Sequence, residues 1–265
     1  MRKARIAVLL LLSTLGLSAE QPMDNATEGS MRADIAAKDS DAKTEAPRLS
    51  GNVALLHGLA RSSRSMAKMA ARLKSAGYSV CNIDYPSRRY TVQQLAADHI
   101  APELARCFLN AEEPIHFVTH SMGGILVRQL AATGAIKQFG RVVMLSPPNN
   151  GSEVVDKLAR IKLFQLINGP AGSQLGTQPG ALPNQLPSLA CELGIITGNR
   201  SVNLLLSLML PGENDGKVTV TSAQLAGMQD FLVVPAAHPF IMNNETVIQQ
   251  TLAFLASGTF TRGHR

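Results

Sequence analysis

The sequence has no tryptophan, only three tyrosines and three cysteines, and aromatic residues fill 4% of its 265 positions. Nucleic-acid binders combine basic stripes with aromatic stacking platforms. No such stripe occurs here, so nucleic acid is not an expected partner. The cysteines, Cys81, Cys107 and Cys191, do not have the paired spacing of a zinc site. None precedes Cys81, which excludes a lipid-modified cysteine near the N-terminus. In an exported chain, an odd count allows at most one internal bridge and leaves a thiol over. Cys81 falls in an apparent strand and Cys107 on an apparent helix. The expectation is therefore buried small apolar side chains, with a single disulfide as the alternative. Beyond the N-terminus no apolar run is long enough to cross a bilayer, and no internal repeat is visible. Apolar residues make up 45% and charged residues 17% of the chain, the composition of a globular protein. The length suits one domain with a substantial core.

The N-terminus reads MRKARIAVLLLLSTLGLSAEQ. Arg2, Lys3 and Arg5 precede an apolar run from Ile6 to Leu17, and Ser18 and Ala19 follow as small residues. This is the pattern of a secretory signal peptide over 1–19, cut after Ala19. The alternative is an uncleaved signal anchor. The expected location is secreted or periplasmic. The formal charge is +6, but three of those charges sit in this leader and carry no information about a binding partner. Residues 20–48 are polar and aperiodic and read as a flexible leader. The folded domain is expected over 49–265.

From Asn52 onward, strand-like and helix-like stretches alternate. NVALLHG, YSVCNIDYP, IHFVTHS, RVVMLSPP, GIITG and FLVVPAAH read as strands. SMAKMAARLKSAG, TVQQLAADHIAPELARCFLN, ILVRQLAATG and NETVIQQTLAFLASG read as helices, with a break expected at Pro102. Apolar strands alternating with helices predict a mostly parallel sheet covered on both faces, the α/β class. Residues 149–193 break this rhythm. They are rich in proline and glycine around one helical stretch, VVDKLARIKLFQLI, and are expected to cap a pocket at the carboxyl edge of the sheet. LLLSLML, from Leu204 to Leu210, is expected to be buried.

Candidate chemistry centres on THSMGG. Ser121 lies between a strand and a helix, at the strand end where ligands bind in an open α/β sheet. A tight turn there would lift its hydroxyl clear of its neighbours, and Gly123 and Gly124 supply the small residues this needs. A serine hydroxyl needs a base, and the base needs an orienting acid. After Ser121 the only histidines are His238 and His264. His238 follows a strand directly, which makes it the expected base. Between Ser121 and His238 lie Glu153, Asp156, Glu192, Glu213, Asp215 and Asp230. Asp215, in the tight PGENDGKVTV loop, is the expected acid and Glu213 the fallback. Backbone N–H groups of Met122 and Leu59, the latter following His57-Gly58, are the expected oxyanion donors. His57 is expected to be structural and His120 to point away and pack. Tyr85 to Ser87 are candidates for the pocket wall.

LLHG, THSMGG, MLSPPNNGS, ENDGKVTV and AAHPFIMNN, in this order, resemble the α/β-hydrolase superfamily. The likeness is greatest to its small bacterial lipase- and esterase-like members, and it spans roughly Asn52 to Phe254. It implies an eight-stranded type of sheet and a short cap insertion. It also implies a triad of Ser121, Asp215 and His238, oxyanion donors Leu59 and Met122, and no cofactor. The implied substrate is a small-molecule or lipid ester, with peripheral contact to membrane lipid. Two features depart from the pattern: Thr119 stands where the motif usually has glycine, and the cap shows no strongly apolar lid face. An acyltransferase using the same residues, or a non-catalytic binding protein on this fold, are the alternatives.

Overall fold

The computed structural model describes residues 50–109, 113–159 and 161–262. The expected signal peptide, the polar leader and His264 lie outside the described residues. Six strands form one sheet: β1 (Asn52–Leu56), β2 (Ser79–Ile83), β3 (Ile115–His120), β4 (Phe139–Leu145), β5 (Leu193–Arg200) and β6 (Asp230–Ala237). All neighbouring pairs are parallel, in the order β2-β1-β3-β4-β5-β6. The eight-stranded type implied by the resemblance is therefore reduced to six among the described residues.

Strand alternation builds the two layers. Val53 and Leu55 of β1 face one apolar cluster, which also holds Val118, Val143 and Ile196. Ala54 and Leu56 face the other, with Phe117, Met144 and Ile195. Helices α1 (Ala67–Ser75) and α9 (Glu245–Ser257) cover the first face. Helices α2 (residues 92–107) and α3 (Met122–Ala132) cover the second. With both faces buried, the strands read as continuous apolar runs rather than alternating ones.

Helix α2 is a composite of Val92–Gln94, π-helical Leu95–Ile100 and Ala101–Cys107. The break expected at Pro102 is a widening instead. Proline lacks an N–H and crowds the carbonyl one turn back; the Ala101 N–H reaches to Ala96, five residues back.

The cysteine expectation is corrected. Cys81 of β2 and Cys107 of α2 form a disulfide across 26 positions, with Cα atoms 6.0 Å apart. Packing α2 on the sheet brings the two thiols together. Cys191 stays free, and burial pushes its thiol pKa up to about 11. A loop of this length should constrain the unfolded chain by roughly 3 kcal/mol. Replacing Cys81 and Cys107 together by alanine should therefore lower the melting temperature by on the order of 5–10 °C. Differential scanning calorimetry, with the Cys81–Cys107 peptide confirmed by non-reducing mass mapping, checks this.

The 149–193 insertion holds α4 (Glu153–Leu158), α5 (Lys162–Ser173) and α6 (Leu182–Gln185). The single helix expected there is two, and α5 kinks at Gly169, where φ is 63° and a Cβ would meet the Arg88 carbonyl. Arg128 of α3 ties this insertion down from below. Its side chain is 2% exposed. Its guanidinium donates to the carbonyls of Pro187 at 3.1 Å, Asn149 at 3.0 Å, Pro183 at 2.9 Å and also Leu186. Burial lowers its pKa to about 10, so it remains charged at neutral pH.

The LLLSLML expectation is half overturned. Helix α7 (Leu204–Leu208) buries Leu206, and Leu210 beyond its end is also buried; both pack with Val154 of α4. Leu204, Leu205 and Leu208 are 74%, 53% and 82% exposed. Residues four apart share a helix face and those between do not, so an unbroken leucine run cannot be buried all round at a surface. Helix α8 (Val220–Ala223) completes the described helices of the α class. No described helix is long and apolar enough to cross a membrane.

Candidate active site

Ser121 joins the end of β3 to the start of α3 with φ 53° and ψ −120°. A positive φ is costly for a residue with a Cβ and persists only where surrounding packing enforces it. The enforcement is visible. The Ser121 N–H donates to Leu145 O at 2.9 Å, and Gly124 N–H donates back to Ser121 O at 3.0 Å. A Cβ at Gly123 would lie 2.6 Å from Leu56 O, and one at Gly124 would lie 3.1 Å from the Met144 sulfur. The close helix–sheet approach is thus made at these two glycines. Thr119, in place of the motif's first glycine, is fully buried within β3.

His238 follows β6, and its Nε2 stands 3.1 Å from Ser121 Oγ. Its Nδ1 is 2.8 Å from Asp215 Oδ2. Asp215 is held by its own loop: Oδ1 accepts from the N–H groups of Lys217 at 3.0 Å and Val218 at 2.9 Å. The His238 N–H donates to Asp215 O at 3.1 Å, which couples the two loops. Burial works to raise the Asp215 pKa, but the facing His238 and these hydrogen bonds outweigh it, and the carboxyl is held below its ordinary value. The Ser146 hydroxyl, fully buried at the end of β4, also stabilises this carboxylate without completing a full hydrogen bond to it. This line of groups can take a proton from Ser121 and hold the resulting imidazolium against a fixed carboxylate.

The other acids are engaged elsewhere. Asp156 holds Thr177 inside the insertion, Glu192 pairs with Arg141, and Asp230 pairs with Arg262. Glu213, the fallback, is exposed and stands outside the line. Glu153 begins α4.

Met122 opens α3, so its N–H has no carbonyl a turn behind it. The Leu59 N–H makes no backbone hydrogen bond among the described residues, and Leu59 lines the cavity together with Ser121. Gly58 backs this loop against the site: a Cβ there would lie 3.3 Å from Ser121 Cβ. Two free N–H groups therefore flank the serine, as an oxyanion requires. His57 is structural. Its ring stacks on Tyr85 at 3.9 Å, its Nδ1 donates to Gly58 O at 2.9 Å, and Nε2 accepts from the Tyr85 N–H. Burial lowers its pKa and keeps it neutral. The Tyr85 hydroxyl donates to His57 O, and Ser87 Oγ accepts from Ala60 N at 3.0 Å. Tyr85 to Ser87 thus brace the Leu59 loop and line a neighbouring cleft rather than the cavity at Ser121. His120 does not point away from the site. Its ring lies 4.9 Å from that of His238, and its Nε2 donates to His238 O at 3.0 Å. Burial, with help from His238 and Arg61, holds its pKa well below the usual value.

The cavity over Ser121 has an apolar wall from Leu59, Pro148, Val154, Val155, Leu175 and Val218. Arg61 and Lys217 enter the same cavity. Sequence reading missed both, as well as Ser146 and Arg128. The available signal was adjacency: Arg61 lies two residues after Leu59, and Lys217 two residues after Asp215.

A parallel sheet with a strained serine elbow at the end of a central strand defines the α/β-hydrolase fold. The sequence model of the alpha/beta hydrolase family matches residues 53–242, and the chain belongs to that family. No curated protein sequence matches it significantly. Among solved structures, the mature lipase BlEst2 of Bacillus licheniformis is similar at 22% identity, TM-score 0.59, over 79% of this chain and 92% of that one. A lipolytic enzyme of the metagenome-derived pair LipS and LipT is similar at 18% identity, TM-score 0.51, over 79% and 94%. The phospholipase PlaB of Legionella pneumophila is similar at 18% identity, TM-score 0.52, over 65% of this chain and 45% of that one. At these identities the likeness is one of fold.

Proposed function

We propose that the protein is an exported serine hydrolase that cleaves carboxylic esters through an acyl-enzyme. The observation that carries this reading is the hydrogen-bonded line Ser121–His238–Asp215 at a strained strand–helix corner. Ser121 Oγ attacks the ester carbonyl while His238 Nε2 takes its proton. The Nδ1–H of His238 keeps donating to Asp215 Oδ2, and the carboxylate stabilises the imidazolium. The N–H groups of Leu59 and Met122 receive the oxyanion. Collapse expels the alcohol, which takes the proton from Nε2. Water, deprotonated by the same nitrogen, then attacks the acyl-serine, and collapse returns that proton to Ser121 Oγ as the acid leaves.

The apolar cavity wall and the lipolytic relatives of the same fold support a carboxylic ester with an apolar part. The exposed Leu204, Leu205 and Leu208, on a helix packed beside α4, support peripheral contact with lipid. Export rests on the N-terminal pattern, and the Cys81–Cys107 bridge favours an oxidising compartment.

The test is turnover of p-nitrophenyl esters from acetyl to palmitoyl by the domain without its leader, paired with fluorophosphonate labelling. The expected result is ester turnover, with the label mapped to Ser121 and absent in Ser121→Ala. The chain-length profile then separates an esterase from a lipase. No turnover of any ester together with no label on Ser121 would sink the reading and favour a binding protein on this fold.

A further inference from the structure

Arg61 and Lys217 stand in the cavity that holds Ser121 and His238. Neither forms an ion pair among the described residues. Arg61 spends one guanidinium nitrogen on Pro239 O at 3.2 Å. No hydrogen bond satisfies the Lys217 ammonium among the described residues. The Lys217 backbone is nonetheless firmly placed: its N–H donates to Asp215 Oδ1, and its carbonyl accepts from Ser152 Oγ at 2.8 Å. The loop that carries this lysine is therefore fixed against the acid.

Two cations without an ion-pair partner lining one apolar-walled cavity are unfavourable for the empty protein. Burial, then the Arg61 charge, pushes the Lys217 pKa down to about 8 against the opposing pull of the Asp215 carboxylate. Burial also lowers that of Arg61. The reaction does not supply the missing counter-charge: when His238 takes the serine proton, the new imidazolium is matched by the tetrahedral oxyanion held at Leu59 and Met122. An anionic group on the substrate would supply it, because it would pair the two cations.

We infer that Arg61 and Lys217 form an anion subsite beside Ser121, and that the ester cleaved here carries a phosphate or carboxylate group. This deepens the hydrolase reading and rests on it. The guanidinium offers a planar fork and the ammonium a point charge, a combination suited to a multi-oxygen anion. Arg61 also lines the adjoining cleft, together with Arg88, Arg89 and a single acid, Asp84, so the lining is net positive. An anionic group extending from the reacting carbonyl would meet further positive charge there.

The experiment compares matched pairs of esters that differ by one anionic group. On the acyl side the pair is p-nitrophenyl pentanoate and mono-p-nitrophenyl glutarate. On the alcohol side it is a monoacylglycerol and the same monoacylglycerol 3-phosphate. The readout is the ratio of kcat/KM, anionic over neutral, within each protein, so partial loss of folded enzyme cancels. The wild type should prefer the anionic member of one pair, and which pair responds tells on which side of the ester the anion lies. In Lys217→Met and Arg61→Met that ratio should fall roughly tenfold or more, the scale of one hydrogen bond to a charged group. Lys217→Arg should recover most of it. Turnover of the neutral esters without any anionic preference, or a ratio unchanged in both methionine variants, overturns the subsite and leaves the hydrolase reading standing. Failure of every ester, with Ser121 unlabelled, overturns both.

Discussion

Replacing Ser121 by alanine should lower kcat on an activated ester by roughly 10⁵–10⁶-fold, and His238→Ala should cost about as much. The equality follows from the geometry. Ser121 Oγ and His238 Nε2 are 3.1 Å apart, and in the proposed mechanism they act in one step, so loss of either would leave the other without its task. Asp215→Asn should cost less, roughly 10⁴-fold, because the carboxylate orients and stabilises but forms no bond to substrate. Residual turnover in all three variants would come from the Leu59 and Met122 N–H groups, which these substitutions leave in place. The double variant Ser121→Ala/His238→Ala should be no worse than either single one. Glu213→Gln supplies the contrast: the fallback acid is exposed and apart from the line, so its kcat/KM should stay within about twofold, as ordinary surface substitutions do. A large loss in Glu213→Gln with retained activity in Asp215→Asn would exchange their roles. Steady-state kinetics on p-nitrophenyl acetate, with melting curves to verify folding, decide it.

Arg128→Met should be strongly destabilising although it lies outside the site. The guanidinium satisfies carbonyls at Asn149, Pro183, Leu186 and Pro187, which belong to the loop after β4 and the far end of the insertion. A methionine fills similar volume and leaves those acceptors without donors, each costing about 1–3 kcal/mol where water cannot reach. A total near 3–5 kcal/mol is expected, as for breaking a buried charged network. That corresponds to a melting temperature lower by on the order of 10 °C. Arg128→Lys keeps the charge but cannot reach several carbonyls with one ammonium, so it should recover only part of the loss. Hydrogen exchange should show the loss concentrated in residues 181–187. A melting temperature within a degree or two of wild type would mean that the insertion holds its place without this anchor.

These two sites differ in how legible they were. Ser121 and His238 were readable because each directly follows a strand, and strand ends are marked locally by apolar runs, glycines and prolines; Asp215 was readable from its tight Asp-Gly loop. Their chain order then matched one arrangement of nucleophile, acid and base. All six strands were readable for the same reason. Arg128 was hidden inside ILVRQLAATG, where an arginine on a helix normally faces solvent; only the insertion folding over α3 buries it. His120 was misjudged because its partner, the carbonyl of His238, lies 118 positions away.

What the sequence determined by itself was periodic and local: the alternation of strands and helices, the corner that strains Ser121, and the order of chemical groups along the edge of the sheet. The tertiary structure alone decided which distant groups meet. It joined Cys81 to Cys107, split the leucine run into a buried and an exposed face, and set Arg61 and Lys217 in one cavity. Backbone periodicity is written into neighbouring residues, whereas contacts between remote loops arise only once the sheet and its covering helices have brought the loops to the same edge.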